Sequence, residues 1–226
     1  MSETIELQSR ARLVDEVARV LRQRIYTGIY PPGEFLRQVQ LSEDLNVSRT
    51  PLREALRILQ SEGLVEAEGT RGVSVTRPNR QRLLNAFALR EWLDGRAARP
   101  AAERNAARAR AMLEPLLQAQ LGLLDAWSPA DYSRLNFDFH AAIIELADNE
   151  FLSAQASVVR LTSTVFAPAV LISQERARPA IEEHAEVVAA IAAGRSDEAE
   201  RLSRQHIRQT MQFLLDEAVR MAVRAA

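Results

Sequence analysis

A chain of 226 residues has room for two modest domains. Its 47% hydrophobic and 26% charged content is the balance of an ordinary folded protein, which excludes a disordered or fibrous class. The formal net charge is −1, and residues 1–78 carry eleven Arg against eleven Asp plus Glu, so affinity for a polyanion must come from where charges stand, not from their number. Cysteine is absent, which excludes disulfides and thiolate metal sites and fits a reducing compartment. With no signal-peptide pattern and no apolar run long enough for a bilayer, the expectation is a cytoplasmic protein without a membrane partner.

In chain order, Met1–Gln8 reads as a frayed tail. A first helix spans about Ser9–Thr27, with Leu13, Val17, Leu21 and Ile25 on one stripe and Gly28 as its stop. Pro31-Pro32-Gly33 is a turn. The stretch Leu41–Thr76 then organises the first domain. Leu41 and Leu45 face a short helix inward, Asn46-Val47 makes a tight turn, and a second helix follows. Ser48 or Thr50 is its expected cap, because a short hydroxyl side chain accepts from first-turn N–H groups that lack intrahelical partners. Pro51 is tolerated for the same reason. Leu52, Ala55, Leu56 and Leu59 face inward, and Gly63 ends the helix.

Opposite that apolar face, Arg49, Arg53 and Arg57 stand four residues apart, so three guanidinium groups line up in one row. Such a row after a tight turn suits the major groove of double-stranded DNA, where arginine forks onto guanine edges or clamps phosphates. Leu64–Glu66 and Val73–Val75 predict a β-hairpin around Gly69-Thr70-Arg71-Gly72, a wing able to reach an adjacent groove. Ser48, Arg49, Thr50, Arg53, Arg57, Arg71 and Gly72 are therefore the candidate DNA contacts. Arg77-Pro78-Asn79 has linker chemistry, which places a DNA-binding domain at 9–77 and a second domain at 80–223.

No strand signal follows Arg80. The pattern predicts about six helices, near 80–103, 105–125, 129–148, 150–174, 179–193 and 196–223, joined by short connections as an antiparallel bundle. Ser128-Pro129 is a cap with proline at the first helical position, and Pro179 and Ser196 are expected to open the last two helices. Pro100, Pro115 and Pro168 should kink or break theirs. The fold class is thus mainly α, a winged helix-turn-helix followed by an all-α bundle.

The chain has three histidines. His140 shares a helix face with Asn136, Phe137, Ile143 and Ile144, His184 with Ile181, Val187, Val188 and Ile191, and His206 with Leu202, Gln209 and Phe213. Three inward imidazoles are either three core residues, each needing its own partner, or one set converging on a divalent metal. Asn136, one turn before His140, could add an amide oxygen. Arg90 is a candidate to fork a carboxylate or, alternatively, to pair with Asp94. Arg160, within an apolar helix, is a second effector candidate, with a surface arginine lying along its own stem as the alternative.

The segments TGIYPPGEFL, VSRTPLREAL and LQSEGLVEAEGTRGVSV resemble the winged helix-turn-helix of GntR-type bacterial transcription regulators. ALREWLDGRAA, LNFDFHAAIIELADNEFL and EEHAEVVAAIAAGRSDEAERLSRQHI resemble the FCD ligand-binding domain of that family's FadR branch. The resemblance implies a homodimeric, ligand-responsive regulator, by default a repressor, on a pseudo-palindromic operator. It implies a divalent metal, zinc first with nickel or manganese as alternatives, held by Asn136, His140, His184 and His206. A small organic acid would sit beside the metal on Arg90. Asn136 departs from the pattern, since aspartate is usual there. A purely structural or metal-sensing ion is the alternative. A metal-dependent hydrolase is the remote one, because no HExxH pattern or other general base accompanies the histidines. No enzyme activity is expected.

Overall fold

Helix α1 (Ser2–Tyr26) begins the chain, so the stretch expected as a tail is helical. The structure is a computed structural model describing the backbone of residues 2–69, 72–167 and 173–224, with side chains for 11–69, 72–167 and 173–216. The chain divides into two compact units, residues 1–78 and 79–226.

In the first unit α1 packs on α3 (Arg49–Ser61) through Val14, Val17, Ala18, Leu21 and Ile25. Val14 therefore replaces Leu13 on the buried stripe, and Leu13 faces outward. Arg22 forks onto Glu62 at 2.9 and 2.6 Å, tying the two helices at their edge. Leu52, Ala55, Leu56 and Leu59 of α3 are all buried, as their spacing requires. Helix α2 (Gln38–Asp44) enters α3 through Asn46, whose φ of 50° is a left-handed value that asparagine tolerates in tight turns. Gly63 closes α3, its N–H on the Gln60 carbonyl and the Leu64 N–H on Leu59, the paired pattern of a helix stop.

Strands β2 (Val65–Ala67) and β3 (Val73–Val75) form the expected hairpin, and β1 (Phe35–Leu36) adds a third strand on the far side of β3. Two residues are too few to leave a periodic signal, which is why β1 has no trace in the hydrophobic pattern. Gly72, with φ +125°, sits over the Phe35 ring, which lies 3.1 Å from where a Cβ would be. A side chain there would have to displace that ring.

The second unit is built on α4 (Arg80–Gly122), against which α5 (Pro129–Leu146), α8 (Gln174–Ala192) and α9 (Ser196–Arg224) pack. The Asn79 side chain caps α4 on the Arg82 N–H. The break expected near residue 104 is a kink inside α4 at Asn105 (φ −128°, ψ 23°), whose amide donates to the Leu146 carbonyl at 2.9 Å. Pro100 and Pro115 lie inside the same helix without ending it. Gly95 lets α9 approach, since a Cβ there would lie 2.4 Å from Cγ of Arg204.

The single helix expected over 150–174 is instead broken. It consists of α6 (Glu150–Ser153), α7 (Ala156–Arg160) and a π-helical turn over Leu161–Phe166. Helix α8 starts five residues before Pro179, at Gln174, with the Ser173 hydroxyl accepting from the Arg176 N–H. The proline ring falls just beyond the first turn, where it removes one hydrogen bond without stopping the helix. Pro168 lies outside the described residues.

Candidate DNA interface and metal centre

On α3 the side chains of Arg49, Arg53 and Arg57 are exposed along one face, opposite the buried leucines. Arg53 is steadied by α2 through a 3.1 Å bond from its Nε to the Gln38 side-chain oxygen. Ser48 and Thr50 are exposed at the helix start. Ser48 occupies the cap position in extended backbone, but its side chain makes no capping hydrogen bond, contrary to expectation. Its hydroxyl is accordingly not committed to the helix. Gly72 ends the turn of the wing, where the Glu68 N–H donates to its carbonyl. Arg71 lies outside the described residues.

In the second unit the three histidines meet. His140 comes from α5, His184 from α8 and His206 from α9, all buried, with one ligand atom from each lying within 4.8 Å of the others. Each ring is oriented from behind. Nδ1 of His140 meets Asp94 Oδ1 at 2.5 Å, Nδ1 of His184 meets Gln120 Oε1 at 2.7 Å, and Nδ1 of His206 meets Glu183 Oε2 at 2.6 Å. An acceptor behind Nδ1 fixes that nitrogen as the donor and leaves Nε2 as a lone pair turned inward. Nε2 of His184 and of His206 consequently face each other at 3.1 Å, and Nε2 of His140 is buried with no partner. Two facing lone pairs repel, and a buried polar atom left unpaired costs about 1–3 kcal/mol. A divalent ion accepting from all three removes both penalties, so the donor set fits a borderline metal held by neutral nitrogen.

Burial favours the neutral form of two of these rings. Burial and then the nearby Arg90 charge push His140 from 6.5 down to about 4, and burial with its two histidine neighbours pushes His184 well below the ordinary value. For Asp94, burial works upward, but the charges of His140 and Arg90 outweigh it and hold the carboxyl below its usual range.

Beside the cluster lies a cavity of about 40 Å³, lined by Arg90, Asn136, His140 and His206 among others. Asn136 thus shares a wall with two of the histidines, while Asp138, two residues on, turns away to pair with Arg134 at 3.5 Å. Arg90 is 2% exposed. Its Nε lies 3.4 Å from Asp94, and its Nη1 donates to Thr162 and Ser163 at 2.8 and 2.9 Å. Asp94, the partner offered for it as the alternative, takes one edge, and Nη2 is buried with nothing to bond. The π-helical turn explains how consecutive residues both reach Arg90, since its wider winding turns neighbouring side chains through a smaller angle than an α-helix would.

Arg160 is placed differently from its expected role. Its guanidinium stacks 4.0 Å from the Phe137 ring and does not line the cavity. Arg176 of α8 lines it instead, 3.4 Å from the Thr210 hydroxyl and 5.0 Å from the Phe213 ring. Sequence reasoning missed Arg176, Gln120 and the role of Glu183. A glutamine on the same inward face as Leu113 and Leu117 was the available sign for Gln120.

A winged helix with an exposed arginine row, followed by a helical unit that gathers three imidazoles, is the architecture of a transcription regulator. The family of bacterial regulatory proteins named gntR matches residues 13–75, and the FCD domain matches residues 85–209. The chain belongs to the GntR family, in its FCD-bearing FadR branch. It is 30% identical over 196 residues to the Nta operon transcriptional regulator of Aminobacter aminovorans, covering 86% of this chain and 90% of that protein. It is 26% identical over 196 residues to the transcriptional repressor RspR of Escherichia coli (strain K12), covering 86% and 85%. The solved structure of E. coli McbR/YncC shares the fold at a TM-score of 0.77 and 21% identity, covering 91% of this chain and 98% of that one. The family and these relatives are regulators, not enzymes. No helix among the described residues is long and apolar enough to cross a membrane.

Proposed function

We propose that the protein is a homodimeric repressor whose operator affinity is set by a small carboxylate bound beside a divalent metal. The observation that carries this reading is one cavity lined both by Arg90, whose Nη2 is buried without a partner, and by His140 and His206 of the histidine cluster. His140, His184 and His206 would hold the ion, zinc being the first choice for neutral imidazoles, and the Asn136 amide oxygen would complete the set. When bound, the metal supplies a Lewis-acidic position for a carboxylate oxygen. Arg90 then grips the same carboxylate through Nη2 while Asp94, Thr162 and Ser163 keep its other edges fixed.

On the DNA side, Arg49, Arg53 and Arg57 would enter the major groove, with Ser48 and Thr50 at the backbone and the wing, through Arg71 and Gly72, at an adjacent groove. Two copies would read the two halves of a pseudo-palindromic site. Leu89 and Trp92, three residues apart on α4 and 44% and 51% exposed, offer an apolar patch for a second subunit. The repressor sense follows the names of RspR and of the D-xylose utilization operon repressor of Paenarthrobacter nicotinovorans.

A ligand changes DNA affinity only if it binds the two dimer arrangements unequally. The test is a thermal-shift screen of small carboxylates on zinc-loaded protein, followed by a gel-shift titration with the promoter DNA of its own and neighbouring genes. An acid that raises Tm should also release DNA. An acid that stabilises the protein while leaving DNA affinity unchanged would remove the switch from this proposal.

A further inference from the structure

The cavity beside the histidines is touched by two guanidinium groups from different helices, Arg90 on α4 and Arg176 on α8. Among the described residues neither has a carboxylate to itself. Arg90 shares Asp94 with His140, and its Nη2 bonds to nothing. Among the described residues no carboxylate lies within ion-pair distance of Arg176, whose Nη2 makes a long 3.4 Å bond to the Thr210 hydroxyl.

Counting charge sharpens this. The nearby carboxylates Asp94 and Glu183 are both engaged behind histidines. They balance the two guanidiniums and leave nothing for a divalent ion. The ligand position that could have supplied a further negative charge holds Asn136, which is neutral. Counted over the described residues, the loaded site would therefore carry two positive charges in excess, which a small, largely buried site tolerates poorly. A volume of about 40 Å³ has room for a few waters or a short acid, and excludes a long acyl chain.

We propose that the effector is a short dicarboxylate, one carboxylate taken by Arg90 beside the histidine cluster and the other by Arg176, so that Arg176 selects a dianion over a monoanion. This rests on the reading of the cavity as the effector site. Phe213, against the Arg176 guanidinium, limits where that charge can go, and Thr210 holds its Nη2 side. Arg176 is half-buried, so its replacement spares the core.

The test is titration calorimetry on the full chain loaded with zinc, using succinate and its monoamide succinamate, which have the same length and differ in one charge. Wild type should bind succinate about tenfold or more tighter, the size of one charge-assisted bond in a partly dry site. Arg176→Gln should erase most of that preference by weakening succinate far more than succinamate, and Arg176→Lys should keep part of it. Arg90→Gln should weaken both acids. Equal weakening of both acids by Arg176→Gln overturns the proposal and leaves the cavity as the effector site, as does a wild type indifferent to the second charge. If wild type binds neither acid, nor any monocarboxylate or dicarboxylate in the thermal-shift screen, the effector-site reading fails and this proposal with it.

Discussion

Arg53 and Arg90 carry the same side chain in opposite circumstances. Arg53 stands on an exposed helix face with one neutral partner, where its charge is screened by water. Arg90 is 2% exposed, wedged between a carboxylate and two hydroxyls, and loses part of its basicity to burial. An exposed guanidinium is prepared for a large polyanion arriving from solvent. A buried one with a single unfilled edge is prepared for one small anion of fixed geometry. On the proposed reading, the two units would use one residue type for recognition at two length scales.

The comparison breaks most visibly on the DNA side. Arg49→Ala and Arg53→Ala should each cost about 1–3 kcal/mol of operator binding, and the pair together should abolish it at physiological salt, with helix content and Tm unchanged. Gel-shift titration with circular dichroism measures both. Operator binding that survives the double substitution would show that the recognition face lies elsewhere. Arg90→Gln, by contrast, should leave DNA affinity intact in the absence of effector.

A smaller effect separates the metal ligands from the groups behind them. Asp94→Asn or Gln120→Ala replaces no proposed ligand, yet the first weakens and the second removes the acceptor that fixes an imidazole tautomer. Either should weaken zinc about 10- to 100-fold, as lost outer hydrogen bonds commonly do. Competition against a chromogenic chelator reads this directly. Unchanged zinc affinity in Asp94→Asn would mean that His140 is not held for a metal.

The smallest effect is on stability against pH in chelator-treated protein. Folding holds His140 near 4, against 6.5 when unburied. Between those values the unfolded chain binds a proton that the folded chain does not, so stability is full above about 6.5 and falls as pH drops toward 4. Asp94, held low, adds a loss in the same direction at still lower pH. Each kcal/mol lost lowers Tm by about 2–4 °C in a chain of this size. A Tm that is flat from pH 7 to pH 5 would show that the imidazoles are not kept neutral by burial.

Much of this was legible from residue spacing. The buried face of α3, its arginine row and its glycine stop all repeat within one helix, where periodicity reports directly. The inward direction of the three histidines was legible in the same way. What surrounds them was not. The acceptors behind the rings lie 46, 64 and 23 residues away in the chain, and no local pattern pairs Gln120 with His184. Arg176 was hidden because α8 begins five residues earlier than its proline suggested, leaving the arginine in what read as a connection. The π-helical turn escaped for a related reason, since its residues read as the continuation of an ordinary apolar helix.

That turn has a consequence for how the cavity could change between relatives. A π-helical turn accommodates one residue more than the α-helix it interrupts. Deleting a single residue from Leu161–Phe166 would therefore return the turn to α-helical winding, with the larger angle between neighbouring side chains. Thr162 and Ser163 could no longer both point at one guanidinium. The fit of the pocket around its anion is thereby tied to a matter of phase, adjustable by one codon without altering any residue that would contact the ligand.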